Sequence, residues 1–205
     1  MALQELVKPG ERLKMTYEEF LAWADEDVHA EWVDGEVIIH MTAKQRHQAV
    51  VGFLMTLFDL FNQFFRLGRF LTAPYQMKLS PEGSGREPDI LFVAREHASR
   101  LTEEGVAGPA DLVVEIVSPE SIGRDRGEKF YEYAQGGVAE YWLIDPAKKW
   151  AEFYRLDGDH YRTLFEGAEG EFHSQVLSSF RLRVEWLWQK PLPKVLDVLR
   201  EIGVL

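Results

Sequence analysis

Two carboxylates in apolar surroundings and a lysine downstream of them are the residues best placed to do chemistry. In "REPDILFVAR", 86–95, Asp89 follows Pro88 and precedes the run Ile90, Leu91, Phe92, Val93. Proline has no N–H for a sheet ladder and is best tolerated where a strand begins, so Asp89 stands at the mouth of a strand. Taken alone, a turn-former that hydrogen-bonds its own loop is the plainer account of Asp89. In "GPADLVVEIVSPE", 108–120, alternation puts Asp111, Val113, Glu115 and Val117 on one face and Leu112, Val114 and Ile116 on the other. Glu115 is then a lone charge in the middle of a buried strand. Desolvating an ionised carboxylate costs several kcal/mol unless a cation or strong donors compensate, so Glu115 needs a metal ion or a basic side chain, and a buried salt bridge to an arginine would serve as well. Fourteen residues later Lys129 shares one helix face with Asp125 and Tyr133 at successive i, i+4 steps. An exposed Lys129 paired with Asp125 would be worth only about a few tenths of a kcal/mol. Asp, Glu and Lys converging at strand ends are the equipment for metal-assisted phosphodiester hydrolysis. The carboxylates hold a hard cation such as Mg²⁺, and the lysine orients water or stabilises developing charge.

The elements that must position these groups can be read from the chain's periodicity. Thr16 with Glu19 has the spacing of a capping box, followed by Phe20, Leu21 and Trp23 on a helical stripe. Asp34-Gly35 between apolar flanks signals a hairpin. Over 43–67 apolar residues recur with helical spacing around most of the circumference, so this helix is buried or shared with another subunit. "RFLTAPYQMKLS", "PDILFVA", "DLVVEIVS" and "AEYWLIDP" read as strands, and "REHASRLTEEGVAGPA" as a connection. "DRGEKFYEYAQGG" reads as a helix with Asp125 as N-cap, Glu128 at the capping-box position and Gly136 and Gly137 as the stop. A hairpin around Asp157-Gly158, the alternating "FRLRVEWLW" and a helix from Pro193 complete the chain. The order implies a mixed sheet between helices in one α/β domain.

At 205 residues, with 46% hydrophobic residues, the chain can bury one substantial core. The absence of cysteine excludes disulfides and thiolate zinc sites. No run reaches the roughly 18 apolar residues of a membrane span, and the first fifteen residues lack the apolar core of a signal peptide, so no membrane partner and a cytoplasmic location are expected. A formal charge of −11 argues against a simple nucleic-acid coat. The charge is uneven: residues 1–39 carry 3 basic and 10 acidic side chains, 40–100 carry 8 and 5, and 101–205 carry 12 and 19.

"EWVDGEVIIHM", "RHQAVVGFL", "PDILFVA", "GPADLVVEIVSPES" and "RDRGEKFYEYAQGGVAEYWLIDP" together resemble the Uma-type endonuclease family of the PD-(D/E)XK, restriction endonuclease-like superfamily, over residues 16–157. The resemblance implies an α/β restriction endonuclease-like fold, with a mixed central β-sheet flanked by helices and an N-terminal helix and hairpin. It implies a single domain over 1–205: an appendage at 1–42, a nuclease core at 43–146, and C-terminal strands and a helix at 147–205. The implied activity is Mg²⁺-dependent hydrolysis of DNA, with Mn²⁺ as a substitute ion. Asp89, Glu115 and Lys129 take the catalytic positions, and Asp89, Glu115 and the Ile116 backbone carbonyl the metal positions. The superfamily's lysine position falls on Val117, a departure that leaves the amine to Lys129 of the following helix. His47 matches an accessory polar residue beside the metal, Glu31 and Glu36 match acidic positions of the hairpin, and Asp125 and Tyr133 accompany Lys129. A homodimer is expected of an enzyme that cuts both strands. The alternative is a catalytically silent binding or assembly module on the nuclease fold, which the −11 charge favours.

Overall fold

The computed structural model describes residues 13–24, 30–39, 45–81, 83–118 and 121–205. The first twelve residues, the proposed 42/43 boundary and the first two residues of the helix expected over 43–67 lie outside them. The chain opens with β1 (Leu13–Lys14) and α1 (Tyr17–Trp23), and Thr16 caps α1 through the reciprocal box with Glu19. A hairpin of β2 (Ala30–Val33) and β3 (Glu36–Ile39) follows. Its turn residues Asp34 and Gly35 have φ of 50° and 81°, the left-handed pair that lets two antiparallel strands keep their twist. The long α2 (Gln45–Phe65) leads to β4 (Gly68–Thr72), β5 (Gln76–Lys78), β6 (Gly85–Arg86) and β7 (Ile90–Ala94). Next come β8 (Gly105–Ala107), β9 (Leu112–Ile116), α3 (Ile122–Asp125), α4 (Glu128–Gly136) and β10 (Glu140–Asp145). β11 (Trp150–Asp157), β12 (His160–Gly167), β13 (Glu171–His173), β14 (Arg181–Arg183) and α5 (Val195–Glu201) complete it.

The main sheet runs β12-β11-β10-β9-β7-β4. Every residue of β7, β9 and β10 is buried, as runs without alternation require when both faces of a sheet are covered. β7 and β9 are antiparallel with Ile90 opposite Val114 and Leu91 opposite Val113, while β9 and β10 are parallel and are joined through α3 and α4. Leu112, Val114 and Ile116 face a core shared with α2 and the C-terminal elements, and Val113 and Val117 face a second core with Tyr133 and Ala134 of α4. The division of β9 between its faces is the one its alternation predicts.

α2 closes one side of this sheet. Val50, Phe53, Leu54, Leu57, Phe58 and Phe61 point inward, and Phe58 stacks on Phe70 of β4 at 4.7 Å between ring centres. Each such side chain contributes about 1.5–3 kcal/mol by leaving water. By length and composition alone α2 is apolar enough to cross a membrane, as a helix that packs six apolar side chains into a protein core also is. Trp186 is buried in the same core and Trp188 packs against it.

The second sheet runs β1-β3-β2-β6-β5-β8, with Trp32 of the hairpin opposite Gly85 of β6. The hairpin expected as an appendage is thereby continuous with strands between α2 and β9. A Cβ on Gly85 would come within 2.7 Å of the Tyr17 ring, so only glycine lets β6 approach this closely. "RFLTAPYQMKLS" is two strands rather than one: β4 belongs to the main sheet and β5 to the second, and Pro74 between them cannot donate to a ladder. The helix expected from Asp125 is also divided, since α3 ends at Asp125 and α4 begins after Gly127, which makes no side-chain cap. Gly137 closes α4 with φ of 92°.

Candidate active site

Asp89 lies where β7 begins, one residue after Pro88. Continuing the β7–β9 register by one pair sets Asp89 against Glu115, on the same face of the sheet, and by a second pair sets Pro88 against Ile116. In the absence of a ladder partner the Ile116 N–H donates to Asp89 Oδ2 at 2.7 Å. A residue in extended conformation presents its N–H and C=O to the same strand edge, so the Ile116 carbonyl also faces the Asp89 side, where Pro88 has no N–H to offer it. Asp89 is therefore more than a turn-former: it replaces a ladder bond and sits beside a carbonyl that the proline leaves without one.

His47, in the first turn of α2, meets Asp89 Oδ2 through Nε2 at 3.1 Å. Burial alone would lower the His47 pKa, but the hydrogen bond to Asp89, the charges of Asp89 and Asp125 and the Ile116 backbone outweigh it, and the net shift is upward. A histidine whose folded pKa is raised adds stability below its unfolded value of about 6.5 and loses it as pH rises through the folded value. Melting curves should show His47→Gln less stable than wild type by about 1 kcal/mol at pH 5.5, with the gap closing by pH 9. A gap independent of pH would mean that the charged imidazole is not what Asp89 holds.

Glu115, in the middle of β9, is met from above by α4. Lys129 Nζ lies 3.0 Å from Glu115 Oε1, and the Tyr133 hydroxyl donates to the same oxygen at 3.0 Å. Lys129 is only 3% exposed and also contacts Glu31 Oε1 at 2.8 Å and Asp125 Oδ1 at 3.6 Å. The exposed, weakly paired lysine that spacing alone allowed is excluded, and among the described residues no arginine pairs with Glu115. Asp125 does not cap α4; its side chain turns inward and is 1% exposed. Glu31 enters from β2, where Arg86 of β6 holds its Oε2 at 3.3 Å and the Glu87 N–H donates to its Oε1 at 3.2 Å. Arg86 is buried as well and makes a two-bond fork to Glu132 of α4, 2.8 Å on each side.

Carboxylates outnumber cations in this cluster. Burial drives the Glu115 pKa well above the usual carboxylate range; Lys129 opposes the shift, and the charges of Asp125, Asp89 and Glu31 add to it. Asp125 is raised for the same first reason. Burial would lower Lys129, but Glu115, Glu31 and Asp125 raise it well above normal, so the amine stays charged. Asp125 Oδ1 is buried with no hydrogen-bond partner. An excess of buried negative charge with an unsatisfied carboxylate oxygen suits a hard cation. Among the described residues no three His, Asp or Glu side chains are already gathered as a cage. Mg²⁺ does not require one, since it is commonly held by one or two carboxylates and keeps several waters. The donors present fit it.

Asp89 and His47 have side chains 20% and 14% exposed, and Glu132 on the Arg86 side is 30% exposed. Of the residues singled out in the sequence, Asp89, Glu115, Ile116, Lys129, His47, Glu31, Asp125 and Tyr133 come together. Glu36 does not contact Lys129; it lies at the turn end of the hairpin and pairs with Lys14 at 3.8 Å. Sequence reasoning passed over Arg86 and Glu132. The available signal was an arginine two residues before Pro88, next to the strand mouth already in view.

A family model named Uma2 and described as "Putative restriction endonuclease" matches residues 17–185. Among solved structures the chain is similar to a "putative nuclease belonging to DUF820" from Anabaena variabilis ATCC 29413, at 18% identity and a TM-score of 0.69, over 85% of this chain and 97% of that one. That similarity is one of fold. No protein of curated function matches.

Proposed function

Because the chain belongs to the Uma2 family, we propose that it is a metal-dependent endonuclease that hydrolyses phosphodiester bonds of DNA. The observation that carries the proposal is the buried cluster beside the β7–β9 junction, where Lys129 is shared by Glu31, Glu115 and Asp125 and burial raises the pKa of Glu115 and Asp125. Asp89, Glu115 and the Ile116 carbonyl are the groups that would hold a divalent ion. Such an ion, when bound, lowers the pKa of water and offsets charge on the phosphate. Lys129 stays protonated under the pull of three carboxylates and can donate to a phosphate oxygen as charge develops there. The Tyr133 hydroxyl fixes the Glu115 carboxylate, and His47 holds Asp89. The family's description as a restriction endonuclease supports DNA as the substrate. Nucleases that cut both strands often pair two active sites, so we also propose a homodimer, which sedimentation equilibrium would detect.

Supercoiled plasmid incubated with the purified protein should be nicked and linearised in Mg²⁺ or Mn²⁺ and left intact in EDTA. Cleavage of RNA alone would redirect the substrate, and no cleavage of either would sink the enzymatic reading. The ion should also stabilise the fold. At ten times its dissociation constant it adds about 1.4 kcal/mol, a rise of about 4 °C in Tm for a chain of this size. The rise should vanish in Asp89→Asn, and a rise that persists there would place the ion elsewhere.

A further inference from the structure

Glu31 is not among the proposed ion ligands, yet it is firmly anchored. Its side chain is fully buried, its Oε2 accepts from Arg86 at 3.3 Å, and its Oε1 accepts from the Glu87 N–H at 3.2 Å and meets Lys129 Nζ at 2.8 Å. Arg86 is itself clamped to Glu132 of α4. Glu115 is held differently, because its contacts with Lys129 and Tyr133 both fall on Oε1. Of its three carboxylates Asp125, at 3.6 Å, is the farthest, and Lys129 bridges the other two at nearly equal distance. One is fixed from the second sheet, and the other lies on the strand that supplies the ion's ligands.

A divalent ion on Glu115 would repel an ammonium on the same carboxylate, and a buried ammonium cannot be left without a counter-charge at acceptable cost. Resting on the metal-site reading above, we infer that Glu31 is a second seat for Lys129, a positioning residue that retains the ammonium when Glu115 turns to a divalent cation. No backbone movement is needed, since the Glu31–Lys129 contact is already made. Without Glu31, Lys129 would stay on Glu115 and compete with the ion. The hairpin would then control metal affinity without providing a ligand.

Calorimetric titration of Mn²⁺ into the whole chain tests this, with Glu31→Gln, Glu31→Asp, Lys129→Met and the Glu31→Gln/Lys129→Met double variant, each checked by a melting curve. Glu31→Asp keeps the charge but draws the carboxylate back from Lys129 by one methylene. Affinity for Mn²⁺ should fall about tenfold in both Glu31 variants, the usual scale for losing a group that orients a ligand. Lys129→Met should bind Mn²⁺ at least as tightly as wild type, and Glu31→Gln should then add little. Wild-type affinity in Glu31→Asp would show that Glu31 acts by charge alone. An equal loss from Glu31→Gln with and without Lys129 would show that it acts on the ion directly. Either result overturns the inference, whereas no Mn²⁺ binding by wild type would overturn the metal site itself. If Lys129→Met does not fold, Lys129→Gln takes its place in the single and double variants.

Discussion

Glu115→Gln should abolish plasmid cleavage, by about two orders of magnitude or more, in a protein at least as stable as wild type. The two halves of this expectation have one cause. Glu115 is ionised at neutral pH only at a cost, because burial and the charges of Asp125, Asp89 and Glu31 oppose it more than Lys129 favours it. An amide of the same shape removes that cost. Tyr133 can still donate to the amide oxygen, and Lys129 keeps Glu31 at 2.8 Å and Asp125 at 3.6 Å. What disappears is the charge that would hold a cation. The sign can be checked through pH. A carboxyl whose folded pKa is raised destabilises the fold above that value, and the penalty is relieved as pH falls through it toward the unfolded value of about 4.3. The melting temperature of wild type should therefore approach that of Glu115→Gln on acidification. Undiminished cleavage by this variant, or a melting temperature lower by about 10 °C, would refute the assignment.

Lys129→Met should behave in the opposite way, losing about 3–5 kcal/mol of stability without metal because Glu31, Glu115 and Asp125 are left buried with their common counter-ion gone. For a chain of this size that is a fall of about 10 °C in Tm. Two additions should recover much of it by reducing the unpaired charge: a divalent cation, or the second substitution Glu115→Gln. Under saturating Mn²⁺ the variant should still cleave at least about a hundredfold more slowly than wild type, since the donor proposed for the phosphate is missing. A loss below about 1 kcal/mol would mean that Lys129 is solvated in solution, and the site as described would not stand.

Much of this was legible in the chain. The uninterrupted apolar run of β7 announced a strand covered on both faces, and in β9 alternation placed Glu115 and Val113 opposite Val114 and Ile116. The i, i+4 spacing put Lys129 and Tyr133 on one helix face, and both reach the same Glu115 oxygen. Asp34-Gly35 specified its own turn, because only residues tolerant of positive φ fit there. These features depend on neighbours a few positions apart. Asp125 shows the limit of such reasoning: a residue with ideal capping chemistry ends α3 instead, and its side chain turns into the cluster where Glu31 and Glu115, distant in the chain, also meet Lys129.

What the chain could not declare is which elements lie side by side. That Ile116 falls opposite Pro88 depends on the register of β7 against β9, which a one-residue slip would undo along with every side chain's face. Glu31 reaches Lys129 only because Trp32 pairs with Gly85, a contact between residues more than fifty positions apart. Arg86 is a core residue for the same reason, since the hairpin and α4 cover it from two sides. Periodicity states which way a side chain points from its own strand or helix. The counter-charge it finds there, and so whether Lys129 is a surface cation or the pivot of a buried cluster, is settled by the packing of the two sheets and α4, whose contacts join segments that local sequence does not relate.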